Sequence, residues 1–261
     1  MLQRIITGLI LIAIGLPCLI LGGLYLQVLV FFIALVGVFE YTKVKDNEND
    51  PFLMFMLELF VILSLFVNNS YYIIGSIILL LVLYILAVFN EKYNLQDIGS
   101  NYAFIMLFSF ALRGISNIYD YGFLLMIYLL IAALVCDAAA YFVGRSIGKH
   151  KLNSRISPNK TIEGAIGGWL IGGILSFVFA LLFIVPLNWF SIPFYILGSI
   201  FLPLFSQVGD LTFSLIKRTY GLKDFGSIFP GHGGVLDRFD SMIFSLAVIN
   251  ILIMVVQVWK K

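Results

Sequence analysis

Apolar runs of about 18 or more residues, enough for a helix to cross roughly 30 Å of hydrocarbon, recur along the whole chain. No other feature restricts the fold as much. Within a bilayer each backbone N–H and C=O must find its partner inside the protein, and uninterrupted apolar runs of this length read as helices. The expected fold is an all-α polytopic membrane bundle. Nine candidate spans fall at about 5–22, 24–42, 52–68, 71–89, 99–116, 121–144, 163–185, 191–216 and 239–259. Of 261 residues, 61% are hydrophobic and 11% charged, whereas a soluble domain carries about a quarter charged residues. The first run is long and a second follows at once, so it reads as a retained helix rather than a cleaved signal peptide. Cys18 and Cys136 lie in apolar segments and read as small buried hydrophobes. A formal net charge of +2 gives no case for nucleic acid.

Polar residues interrupt the runs at 43–51, 68–70 and 90–97, and two larger insertions stand at 144–164 and 217–238. The first insertion holds Arg145, Lys149, Lys151, Arg155 and Lys160; the second holds Lys217, Arg218, Lys223 and Arg238. Two spans separate them, so both emerge on one side, and their basic residues predict the cytoplasm. The same count puts Arg4, Lys43 and Lys45 on that side and Lys260 and Lys261 opposite, against the trend. Arg113 makes the fifth span the weakest. Gly164, Gly168 and Gly172 recur every four residues, a spacing that lets helix backbones approach closely in lipid. Residues 1–120 are expected to serve as scaffold and dimerisation helices and 121–261 as the catalytic part, within one membrane unit.

Charges inside hydrocarbon cost a few kcal/mol each on insertion scales, which makes them functional suspects. Gln207, Asp210, Ser214 and Lys217 share one face of the eighth span; Asp237, Asp240 and Ser241 share one face where the ninth begins. Asp137, Tyr141 and Arg145 form a third stripe, in which Asp137 either pairs with Arg145 or serves the site. Glu40 lies at the cytoplasmic end of its span, within reach of the site, and Glu58 is expected to find a partner within the bundle. Carboxylates beside flexible loops make a hard-oxygen site suited to Mg²⁺. Zinc is disfavoured, since the histidines are only His150 and His232 and no cysteines are paired in sequence. "PGHGG" offers bare backbone N–H groups ahead of a helix, an anion seat, and "SPNKT" sets Ser157, Lys160 and Thr161 similarly, with Glu163 following. Together these features point to phosphoryl or nucleotidyl transfer.

The segment "SLIKRTYGLKDFGSIFPGHGGVLDRFD", Ser214 to Asp240, resembles the signature of phosphatidate cytidylyltransferases, and "DAAAYFVGRSIGKHKL" and "ISPNKTIEG" resemble the same family. The likeness covers about 137–241 strongly; the first 130 residues match only as apolar spans. It implies an all-helical, nine-span enzyme, a homodimer among membrane lipids, that condenses CTP with phosphatidic acid to CDP-diacylglycerol and pyrophosphate. It also implies that Asp210 and Asp237 hold the divalent metal; a second divalent ion or a monovalent cation stays open. Phosphatidate brings its own nucleophile, so positioning and charge neutralisation are expected to carry the reaction. The expected catalytic residues are Asp210, Asp237, Lys217, Arg238 and Asp240. The expected substrate-binding residues are Ser157, Lys160, Thr161, Ser214, Arg218, Lys223, His232, Gly233 and Gly234, with a turn-stabilising role as the other option for His232. A CTP-dependent polyprenol kinase is the neighbouring alternative. An ion-coupled transporter is the alternative from another class, disfavoured because no internal repeat appears.

Overall fold

The computed structural model describes residues 2–45, 50–188, 190–231 and 233–259. His232, Lys260 and Lys261 lie outside the described residues, as do the side chains of Arg4 and Lys45. Nine helices make up the described fold: α1 (Leu2–Leu21), α2 (Gly23–Lys45), α3 (Pro51–Phe66), α4 (Asn69–Phe89), α5 (Leu95–Tyr119), α6 (Phe123–Ile147), α7 (Ile162–Leu187), α8 (Ile192–Thr219) and α9 (Leu236–Trp259). Seven are long and apolar enough to cross a membrane; α1 and α3 are apolar but shorter. Between α6 and α7 a small antiparallel hairpin pairs β1 (Lys151–Asn153) with β2 (Ser157–Thr161).

Local chemistry sets the helix starts. Asp50 accepts hydrogen bonds from the Phe52 and Leu53 amides, with Pro51 in the first turn of α3. Asn68 caps α4, and Asn94 with Asp97 forms a reciprocal capping box on α5. The Thr161 hydroxyl accepts from the Gly164 amide at 3.1 Å and caps α7. Arg113, which made the fifth span look weak, is absorbed at the other end of the bundle. Its guanidinium donates to the Ser64 and Val67 carbonyls, closing the end of α3, and stacks over Tyr72 with its carbon 4.6 Å from the ring centre.

The expected glycine seam joins α6 to α7. A methyl group on Gly168 would sit 2.6 Å from the Cys136 carbonyl oxygen, and one on Gly164 would sit 2.6 Å from that of Ala140. The facing positions on α6, Ala132, Cys136, Ala140 and Gly144, are small as well, so the two backbones touch. Pro203 lies inside α8 and lacks the N–H that an interior turn needs. Nearby carbonyls find other donors: the Trp169 indole bonds Ile200 at 2.8 Å and Ser245 bonds Leu202 at 3.0 Å. One apolar core runs from Leu26 on α2 to Ile253 on α9, so the N-terminal helices share it with the C-terminal ones. The chain reversals bring the end of α6, the hairpin, the end of α8 and the start of α9 to one end of the bundle.

Candidate active site

At that end a cavity of about 410 Å³ opens between α6, the hairpin, α7 and α8. Asp137, Tyr141 and Arg145 line it from α6, Ser157, Lys160 and Thr161 from the hairpin, and Gln207 and Asp210 from α8. The Lys160 ammonium, carried on β2, forms an ion pair with the Asp210 carboxylate, half-buried on α8. Ser214, one turn further along α8, donates to the other oxygen of Asp210 at 3.3 Å. Gln207 donates to the Ala165 carbonyl at 2.9 Å and ties α8 to α7 under the cavity floor.

The stripe read on the eighth span therefore divides. Gln207 and Asp210 face the cavity, Ser214 supports Asp210, and Lys217 turns the other way. Its ammonium, almost fully buried, reaches Asp237 at 2.7 Å. Asp237 lies in the first turn of α9, three positions after Gly234. Its second oxygen accepts from the Phe225 amide at 2.8 Å and the Gly234 amide at 2.9 Å. Lys217 also lies 5.3 Å from the centre of the Phe225 ring. This charge is buried, paired and hydrogen-bonded, as an ion in a low-dielectric setting has to be.

Glu40 supplies a contact that spacing along the chain does not reveal. Reaching across from α2, it is 1% exposed, and its two oxygens accept from the Val235 and Leu236 amides at 2.9 Å each. Glu40 and Asp237 together take up the Gly234, Val235 and Leu236 amides, at the end of "PGHGG" and the start of α9. Gly226 and Gly234 have no room for a side chain because Glu40 lies against both. Gly233 has φ of +81° and Gly231 +76°, backbone that glycine adopts without strain, and Phe229 bridges to Gly233 through a 2.9 Å hydrogen bond. The glycines thus serve a tight turn folded over two of the protein's own carboxylates.

The remaining expected residues are spread around this frame. Arg218 donates to the Leu222 carbonyl at 2.9 Å and shapes the turn after α8. Lys223 and Arg238 are exposed on the same end of the molecule. Asp240 is half-buried on α9, accepts from the adjacent Ser241 amide at 2.8 Å, and lies within electrostatic reach of Asp210, Lys217 and Asp137. Asp137 does not pair with Arg145: it is hydrogen-bonded to Ser241 on α9, while Arg145 donates to the Tyr141 hydroxyl at 3.1 Å. The reason is rotational. Asp137 faces the bundle interior and Arg145, two turns on, lies on the outer face of α6. Glu58 is half-buried and makes no ion pair or hydrogen bond with the described residues, contrary to expectation. At the foot of the hairpin Glu163 accepts from the Lys149 and His150 amides and lies 2.6 Å from the His150 ring nitrogen.

By donor type the site suits a hard cation. Asp137, Asp210 and Asp240 offer carboxylate oxygens, Asp237 adds one already engaged by Lys217, Phe225 and Gly234, and the soft donors are few. Among the described residues no group of three or more His, Cys, Asp or Glu side chains stands close enough to hold a metal ion.

Known proteins bear on this geometry. The sequence profile of the cytidylyltransferase family matches residues 2–256. A protein of Bacillus subtilis (strain 168) named phosphatidate cytidylyltransferase is 36% identical over 257 residues, 93% of this chain and 93% of that protein. Proteins of the same name from Staphylococcus haemolyticus and Staphylococcus aureus (strain COL) are 36% and 34% identical, each across 96% of this chain and 98% of their own length. The matches run along nearly the full length of this chain and of these relatives, and the chain belongs to the cytidylyltransferase family.

Proposed function

We propose that this protein condenses CTP with phosphatidic acid, forming CDP-diacylglycerol and releasing pyrophosphate, at the cytoplasmic face of the cell membrane. The observation that carries the reading is the cavity at the polar end, where the Lys160 ammonium meets the Asp210 carboxylate beneath two basic loops. The relatives' names point to the same reaction.

The two substrates are both polyanions, so the chain's task is to hold them in line and offset their charge. Lys160, Ser157 and Thr161 receive phosphate oxygens on the hairpin side, and the exposed Lys223, Arg218 and Arg238 draw in and screen the nucleotide. Asp210 and Asp237 would hold magnesium, which would supply positive charge against the phosphates of the two substrates. Each of these acids already holds an ammonium group, Asp210 that of Lys160 and Asp237 that of Lys217, so both environments are built to bind positive charge. Asp237 has about four acceptor positions, and three are taken by Lys217, Phe225 and Gly234. Asp240 orients the neighbouring cations. A homodimer is part of this reading, and the mass of the detergent-solubilised particle tests it.

The experiment is to supply labelled CTP and phosphatidic acid to the purified protein with Mg²⁺. Liponucleotide and pyrophosphate are the expected products; release of CDP would instead indicate γ-phosphate transfer to an alcohol. Asp210→Asn and Asp237→Asn are each expected to lower turnover by about 10²-fold or more, Asp210→Asn with little change in thermal unfolding and Asp237→Asn with a lower melting temperature because Lys217 loses its buried partner. Chelation with EDTA is expected to stop turnover and added Mg²⁺ to restore it. Full activity in either variant, or in EDTA, refutes the metal site.

A further inference from the structure

The Gln207 side chain on α8 has one polar atom left for a ligand. Its Nε2 group donates to the Ala165 carbonyl on α7 at 2.9 Å and to the Cys136 sulfur on α6 at 3.1 Å. A side-chain amide has two N–H donors and one acceptor oxygen, so the wall takes up both donors. The Oε1 atom has no hydrogen bond among the described residues, although Gln207 lines the cavity along with Asp210. Ala140, Gly164 and Ala165 line the same cavity, and side chains this small leave space for a planar ring. A volume of about 410 Å³ falls within the range of pockets that hold small molecules.

Neighbouring groups fix which way that amide points. The Cys136 thiol donates to the Pro203 carbonyl at 3.4 Å, which leaves sulfur lone pairs rather than the proton facing Gln207. The Ala165 carbonyl can only accept as well. A flipped amide would set its oxygen against two acceptors and lose both hydrogen bonds. Oε1 is therefore an acceptor of fixed position and fixed polarity. For a ligand hydroxyl or a water, which can turn to donate or accept, that lock adds no selection. It selects where the ligand group has a single polarity. The exocyclic amine of cytosine only donates, and the carbonyl that replaces it in uracil only accepts.

We propose that Gln207 Oε1 accepts a hydrogen bond from the 4-amino group of cytosine and thereby selects CTP over UTP. The assignment rests on the reaction proposed above and names the residue that reads the base within it.

Initial rates with phosphatidate in mixed micelles test it, using CTP, UTP and the CTP analogue that carries hydrogen in place of the 4-amino group. The quantity read is kcat/KM for CTP divided by that for each other nucleotide, a ratio in which any loss of folded protein cancels. The wild type is expected to favour CTP over the analogue by about tenfold or more, the scale of one hydrogen bond whose acceptor is left unpaired. Against UTP the preference is expected to be larger, because two acceptors then face each other. Gln207→Met keeps the length of the side chain without the acceptor, and is expected to bring the CTP-to-analogue ratio within about twofold of one. Cys136→Ala removes one of the two acceptors that fix the amide and is expected to lower the same ratio by a smaller factor. A wild type that uses the analogue as well as CTP overturns the proposal. So does a folded Gln207→Met that keeps the wild-type ratio or, where that variant does not fold, a Cys136→Ala that keeps it. A wild-type protein that makes no CDP-diacylglycerol overturns the reaction itself; an active wild type whose ratio is indifferent to Gln207 overturns only the base reading.

Discussion

Replacing Glu40 by glutamine isolates a polar contact that joins α2 to residues 195 and 196 positions further along the chain. The carboxylate sits on α2, 1% exposed, and gives one oxygen to the Val235 amide and the other to the Leu236 amide, both at 2.9 Å. Two acceptor oxygens facing two donors suit the ionised form. Glutamine keeps one acceptor, but its NH₂ then points at the second backbone N–H. One buried donor loses its partner, at about 1–3 kcal/mol. The negative charge facing the positive end of the α9 dipole is lost too, at about 0.5–1 kcal/mol. The sum is about 2–4 kcal/mol. On the scale of proteins of 150–250 residues that lowers the melting temperature by about 4–16 °C. Thermal unfolding of Glu40→Gln in detergent, followed by intrinsic fluorescence, measures this directly. Turnover is expected to fall as well, because the turn that Glu40 holds at Val235 and Leu236 also carries the Gly234 amide bonded to Asp237. A variant that melts with the wild type and keeps its activity would refute the view that Glu40 anchors the loop.

Two further expectations concern packing and charge. Gly168→Ala inserts a methyl group 2.6 Å from the Cys136 carbonyl oxygen, and is expected to destabilise the α6–α7 seam by about 1–3 kcal/mol, read as a lower melting temperature in the same detergent. Lys217→Met leaves Asp237 buried and without its cation, at about 3–5 kcal/mol. Adding Asp237→Asn to it is expected to recover most of that stability in thermal unfolding while activity stays lost, and failure to recover would mean that the pair is not the main interaction between those helices.

Much of the fold is legible in the chain. The apolar runs locate all nine helices, and the largest shift is at the start of α5, read near 99 and found at Leu95, because the Asn94–Asp97 capping box begins the helix in polar sequence that hydropathy passes over. The last helix likewise begins at Leu236 rather than near 239. Asp237 thereby becomes a first-turn residue, close enough to Gly234 to accept its amide. The cavity-lining set Ser157, Lys160, Thr161 and Asp210 was legible as well, because basic loops and in-membrane acids are costly enough to stand out. Glu40 was visible as an isolated acid, but nothing near it in sequence indicated what it would bind.

Sequence alone determined where the long apolar spans fall, that α7 carries a small-residue face for close packing, and which charged residues sit within or beside the spans. Those are properties of one helix at a time: its length, its apolar content and the repeat of its small residues. Tertiary structure alone decided how the charges are shared out. Glu40 meets an amide 195 positions away, Lys217 turns to Asp237 instead of the cavity, and Asp137 leaves Arg145 for Ser241 on another helix. Each outcome depends on the relative rotation and depth of packed helices. A buried ionisable group must take whichever complementary partner those rotations bring within hydrogen-bonding distance.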